Sequence, residues 1–415
     1  MKRATKIIAA CLSLAPWPAL AWDWSLSSTL SETVELNNNQ FMNTAPTGGT
    51  VGSYTTLSAN AVGLTSSSRL TLDGDIGYRK YWGPGTFGVS QTESDSAGLR
   101  AHYESWGKNI DDKYWLDGTF RQSSTLVAVL EDLGVTANVH GDLDRTMVGG
   151  GIQRSLSAMD TISVSATSAL TTYTPSSGGT EFTDTSVTTS WRHRISPLTT
   201  LNATSQLEWL NYETSPAENL YILRETAGFE TTLSPLLSYG ASAGVAYSDT
   251  QVGTGSPLGP TVTPATPLTS GSTVGFIGDA HAIYRILKNT TLNLTAGETV
   301  APSIVGTLTQ RSYLHAGLIQ TINDRSSIAF AGEVSRQTSS GTTNDFLSAS
   351  VSYSYVLARD WNSSLTYRYT HRTASTGGTA LDPVTGLPTS FQGPADSNSI
   401  MMVVSKRATI IPQIY

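Results

Sequence analysis

The 415-residue sequence holds one cysteine, Cys11, in an N-terminal stretch that reads as an export leader. Once the leader is gone no thiol remains, which excludes a disulfide scaffold, a thiolate metal site and a cysteine nucleophile. Long apolar runs are missing as well. No stretch beyond the leader approaches the ~18 residues that a membrane-spanning helix needs. Positive charge is scarce: 25 Lys+Arg stand against 32 Asp+Glu, and removing Lys2, Arg3 and Lys6 with the leader leaves 22 against 32, a net of −10. That sign repels phosphate, so nucleic acid is not an expected partner. No Pro-rich linker or composition shift divides the chain.

The leader has a basic start at Lys2, Arg3 and Lys6, an apolar core from Ile7 to Ala15, and small residues at Ala19-Leu20-Ala21. Cleavage is expected before Trp22, leaving residues 1–21 as a signal peptide and 22–415 as a single domain. An uncleaved anchor helix is the competing reading, but Pro16 and Pro18 interrupt it and its apolar stretch is too short to span. A lipoprotein box at Ile8-Ala9-Ala10-Cys11 leaves too little apolar core before the cysteine.

What the rest of the chain has in quantity is alternation. Leu347, Ala349, Val351, Tyr353 and Tyr355 alternate with Ser348, Ser350, Ser352 and Ser354. Leu365, Tyr367 and Tyr369 alternate with Ser364, Thr366, Arg368 and Thr370, and Leu70, Leu72, Ile76 and Tyr78 with Thr71, Asp73, Asp75 and Arg79. Period two means a strand with two unlike faces. Runs of about ten residues or more suit a tilted membrane strand better than an ordinary soluble one.

Tight polar connectors recur at Leu156–Asp160, Ile195–Thr199, Leu233–Leu236, Leu287–Thr290, Ile322–Ser326 and Leu357–Trp361. Between them fall long Gly/Ser/Thr/Pro-rich ones: Asn38–Gly52, Gly83–Asp95, Thr174–Asp184, Val252–Ser270 and Thr373–Asp396. Strict short–long alternation is the rhythm of an antiparallel up-and-down transmembrane β-barrel, whose periplasmic turns are short and outer loops long. Counting connectors predicts about 18 strands, with about 16 to about 20 open, and both termini on the periplasmic side. Trp82, Tyr173, Tyr212 and Tyr247 fall at the predicted outer strand ends, and Tyr114, Trp115, Trp191, Tyr239, Tyr284 and Trp361 at the inner ends, as two aromatic belts.

The strands Ser350–Tyr355 and Leu365–Arg372, with the closing strand Asn398–Lys406, resemble those of the outer-membrane β-barrel (porin-2-like) family found beside exopolysaccharide and exosortase loci. The resemblance spans the chain beyond the leader and implies a barrel of similar size tied to envelope polysaccharide, with polysaccharide-export components as partners. One departure is Pro412, which has no N–H for a ladder. Either Lys406 ends the last strand and a tail follows, or the closing strand is irregular.

With the apolar phase facing lipid, the other phase faces the lumen and takes nearly all the charges, which are costly against lipid. That phase holds Asp73, Asp75, Arg79, Arg100, Glu104, Asp117, Arg121, Arg192, Arg224, Asp279, Arg285, Arg311, Glu333 and Arg368 as candidate selectivity residues, with Glu230, His102, His281 and His315 beside them. They either contact a solute or simply pair across the wall. The histidines have no metal-ligand spacing and no Gly-x-Ser-x-Gly elbow, and Asp73-Gly74-Asp75 lacks a calcium-loop pattern. No catalytic group, metal or cofactor is expected.

Three functions stay open at this point. The first is a porin-like channel in the bacterial outer membrane, passing hydrophilic solutes or an exported polysaccharide. The second is an adhesive barrel working through the Val252–Ser270 and Thr373–Asp396 loops, and the third an outer-membrane hydrolase. Membrane lipid, lipopolysaccharide and the barrel assembly machinery are the expected partners.

Overall fold

The computed structural model describes residues 22–86, 92–107, 112–125, 141–174, 181–213, 218–252, 271–302, 308–339, 342–373 and 393–412. The expected leader and most of the two loops named for adhesion lie outside them. The first strands are β1 (Asp23–Asn37), β2 (Thr50–Leu64), β3 (Ser68–Trp82), β4 (Glu93–Trp106), β5 (Lys113–Ser124) and β6 (Asp142–Ser155). Next come β7 (Asp160–Thr174), β8 (Phe182–Ser196), β9 (Thr199–Tyr212), β10 (Glu218–Ser234), β11 (Leu237–Val252) and β12 (Gly271–Leu287). The last are β13 (Thr290–Pro302), β14 (Leu308–Asn323), β15 (Ser326–Ser339), β16 (Thr342–Ala358), β17 (Trp361–Arg372) and β18 (Ala395–Ile411).

Every strand pairs antiparallel with its neighbours in the chain, and β18 returns to β1, so the 18-stranded sheet closes on itself. Closure leaves the sheet no open edge strand, which is what hydrocarbon demands of a β-structure.

Two of the tight turns owe their form to a hydroxyl placed just before them. Ser196 Oγ accepts from the N–H groups of Leu198 (3.2 Å) and Thr199 (3.0 Å), and Ser234 Oγ from Leu236 (3.2 Å) and Leu237 (3.1 Å). Pro197 and Pro235 sit within these turns, where a missing N–H costs nothing.

The register carries one face unbroken around the wall. The phase that includes Leu30, Leu57, Ile76, Val148, Phe276, Leu314, Leu365 and Met402 is exposed and mainly apolar, with Glu32 and Glu225 as carboxylate exceptions, and it is the convex side. Trp82, Tyr247, Tyr114, Trp191, Tyr239, Tyr284 and Trp361 belong to it, at the two rims. Tyr173, Tyr212 and Trp115 do not. They fall in the opposite phase, and Tyr173 and Tyr212 are buried inside the wall. Position along a strand placed them in a belt; a one-residue difference in phase turns a side chain to the other face.

The distribution of charge also departs from expectation. The outward phase carries ionised groups at both rims. At the long-loop rim, Glu93 accepts from Tyr78 (2.8 Å) and Lys80 (3.0 Å), Asp396 from Tyr369 (2.6 Å), and Arg336 pairs with Asp345 (2.7 Å). At the other rim, Arg154 bonds Tyr114 (2.6 Å) and Lys406 lies over Trp361 (5.3 Å). Long side chains can place charge at the headgroup level while their stems stay apolar.

The closing strand settles between its two alternatives as irregular. β18 runs past Lys406 to Ile411, and its register against β1 slips between Leu26 and Ser27. Pro412 comes only after the last paired residue.

Candidate functional site in the lumen

The concave face is identified by what reaches across it. Arg224 of β10 donates from Nε (3.2 Å) and Nη2 (2.8 Å) to the carbonyl of Val300 on β13. A side chain spans strands that far apart only on the inside of a curved wall. The register puts Asp73 opposite Arg100, Asp75 opposite Ser58, Arg79 opposite Tyr54, Glu104 opposite Arg69 and Asp117 opposite His102 on this same face. Arg121 lies opposite Arg145, Arg192 opposite Asn202, Asp279 opposite Ser242 and Arg285 opposite Thr291. Arg311 faces Gln337, Glu333 lies between His315 and Ser348, and Arg368 between Ser350 and Ser399.

Several acids of this face have partners. Asp117 pairs with His102 (2.7 Å), Glu104 with Lys113 (3.0 Å), Asp184 with Arg145 (3.3 Å), and Asp279 sits 3.9 Å from His281. Glu208 binds Arg224, and Glu333 binds Arg311. Asn60 donates to Asp73 at 2.6 Å. By contrast Arg79, Arg100, Arg121, Arg192, Arg285 and Arg368 make no ion pair among the described residues. These six arginines outnumber the concave-face acids Glu35, Asp73, Asp75 and Glu230, which likewise make no ion pair among the described residues.

The segment joining β1 to β2 brings two of these arginines together. Rather than standing clear of the mouth, it folds onto the concave face. Asn37 Oδ1 accepts from Asn39 N–H (2.8 Å) and Ser397 Oγ (2.9 Å), and its Nδ2 donates to Gln40 (2.7 Å). Gln40 reaches the Tyr81 hydroxyl (3.3 Å), and Phe41 packs edge-on against the Tyr81 ring at 5.8 Å. Phe41 and Met42 are buried. Arg372, fully buried, donates from Nη2 to the carbonyls of Met42 (3.0 Å) and Gly393 (3.3 Å). Met42 has φ 51°, a conformation a methionine rarely adopts, held here by these bonds around it.

Beneath this strap lies a cavity of about 440 Å³ lined by Glu35, Tyr54, Arg79, Tyr81, Arg368 and hydroxyl side chains that include Thr370 and Ser399. Arg79 stacks over the Tyr54 ring at 4.6 Å, which orients its guanidinium without neutralising it. Two unpaired cations face one carboxylate. The site can hold a small polar anion by charge and hydroxyl hydrogen bonds.

Alternation identified Arg79 and Arg368 but not Tyr81, Gln40, Phe41 or Arg372, which matter only because the strap folds inward. On the far side of the lumen, Phe182, Leu210, Tyr212, Leu220 and Ile222 form an apolar cluster on the concave face. The register sets them in the inward phase, but their apolar type is that of outward residues.

No family model and no curated protein matches this chain. Solved structures do resemble it. The FrpB iron transporter from Neisseria meningitidis superposes with a TM-score of 0.50 at 7% identity, covering 94% of this chain and 82% of that one. OccK2 of Pseudomonas aeruginosa gives 0.48 at 10% identity, over 94% and 99%, and OprD of the same organism 0.45 at 11%, over 94% and 96%. At such identities the likeness is one of fold.

Proposed function

We propose that this chain is an outer-membrane channel for small hydrophilic solutes, with a preference for anions set beneath the β1–β2 strap. The observation that carries the reading is the cavity in which Arg79 and Arg368 stand unpaired against Glu35 alone. The closed wall with an apolar convex face supports residence in a bilayer, with lipid, lipopolysaccharide and the barrel assembly machinery as partners. An 18-stranded barrel is wide enough for a water-filled lumen. A role in export of a polymer, which the resemblance implied, is less well matched: the strap and the outer end of β13 both occupy lumen-side space. The reading needs no enzymatic step.

Planar-bilayer recording of the refolded protein tests it. Stepwise conductance with a reversal potential on the anion side is expected in a salt gradient. A barrel whose unboiled and boiled forms migrate differently on a gel, and which never conducts, would overturn the channel.

A further inference from the structure

The wall is not uniform. Between β12 and β13 pairing climbs from the turn as far as Gly278 opposite Glu298 and stops there. Above that point the outer end of β12 stays paired with β11, from Ile277 opposite Gly244 to Gly271 opposite Thr250. Thr299 to Pro302 of β13 stay paired with β14 alone. The two strands have parted, and β13 leans inward: a Cβ placed on Gly275 would lie 3.4 Å from Val300 Cγ2.

A latch holds the split. Arg224 lies opposite Ala246, and Ala246 opposite Gly275, so its side chain runs over a track of minimal residues to reach the Val300 carbonyl. That carbonyl is one the β12 ladder no longer uses. Glu208 accepts the remaining side of the guanidinium, which fixes the arginine in its extended form.

The height of the split is informative. From Leu287 to Gly278, at ~3.4 Å per residue and a ~40° tilt, the intact seam rises about 23 Å, close to the ~25 Å apolar band of such barrels. The strands therefore part at the outer headgroup level. Below, along the seam's convex side, runs a groove of about 830 Å³ floored by Gly278, Ala280 and Ala296 and walled by Phe276 and Leu314, with Glu298, Arg336 and Asp345 at its outer end. Val274, beside the split, is the most exposed large apolar side chain described, at 69%.

An apolar groove leading up to two parted strands has the shape of one kind of ligand. We propose that the β12–β13 split is a lateral portal for a single-chain amphiphile, whose chain lies in the groove while its head passes between the strands into the lumen. Backbone groups of the parted edges, which no longer bond each other, meet the head, and the small floor residues make room for the chain. This portal needs only the barrel wall. It does not depend on vertical conduction, which the bilayer recording reads separately.

The test uses the full chain in liposomes with bimane on Thr273→Cys, on the concave face of the split, or on Ser348→Cys, on the concave face of intact wall. Stearate bearing a doxyl quencher near its carboxyl head is added to the membrane. Quenching at least several-fold stronger at Thr273 than at Ser348 is expected. Equal quenching, or none at either, overturns the portal. Ala296→Trp, which fills the groove from the lipid side, should abolish the difference while leaving channel conductance unchanged. Persistent quenching in that variant also overturns it. Arg224→Met should reduce quenching by letting β13 rejoin β12; if that variant does not fold, Ala296→Trp still decides.

Discussion

Replacing Arg79 and Arg368 together with serine removes the two unpaired cations of the strap cavity and leaves Glu35 in place. A unit charge ~4 Å from another gains about 1 kcal/mol in water and about 4 kcal/mol at an effective dielectric of ~20. A wet lumen lies nearer the first limit, so the pair contributes roughly 2 kcal/mol to holding an anion. At about 1.4 kcal/mol per decade, that is roughly thirtyfold in local anion occupancy. The anion-over-cation permeability ratio of the double variant, from reversal potentials at ~0.1 M salt, should fall by roughly tenfold to thirtyfold. Screening shortens from about 10 Å to about 3 Å between ~0.1 M and ~1 M salt, so the difference should shrink sharply at the higher concentration. Tyr367→Ser and Val351→Ser, on the convex face, should leave the ratio alone, and Glu35→Gln should move it toward anions. An unchanged ratio at low salt, or an equal shift in the convex-face controls, would refute the assignment of these arginines.

Arg372→Met removes the donor to the Met42 and Gly393 carbonyls, and charge-assisted bonds contribute about 1.5–3 kcal/mol each, so the strap should detach and single-channel conductance rise; no change would mean the strap does not narrow the passage. Arg224→Met strands Glu208, whose side chain is 8% exposed, and should destabilise the barrel by about 3–5 kcal/mol in denaturant titrations followed by gel mobility. Glu208→Gln, which keeps an acceptor for the Arg224 guanidinium beside the Val300 carbonyl, should cost clearly less; equal losses would contradict this arrangement. An epitope inserted within residues 253–270 should be reachable on intact cells and one at Pro235 should not, and the opposite labelling would invert the barrel.

How much of this was legible in the chain itself can be judged from particular residues. Period-two alternation at Leu70–Tyr78, Leu347–Tyr355 and Leu365–Tyr369 is a local property, since successive Cβ atoms of any strand point to opposite faces, so the facing of Arg79, Arg368 and Ile76 could be read directly. Turn chemistry is local too, as at Ser196-Pro197 and Ser234-Pro235, and it carried the strand number. Closure then followed because hydrocarbon leaves no tolerable free edge.

Which lumen acids find partners is another matter. Asp184 meets Arg145 across three strands, and Arg224 meets Val300 across four, through a register and curvature that no single strand encodes. The β1–β2 strap gave no signal in advance, because its Asn, Gln and Phe residues read equally as a solvated loop. Its inward fold rests on Tyr81, Ser397 and Arg372, which are distant in the chain. The sequence alone therefore determined a two-faced wall and its rhythm, because both arise from neighbours along the backbone. Only the tertiary structure decided where that wall narrows and where it parts, because both depend on contacts between strands that meet after closure.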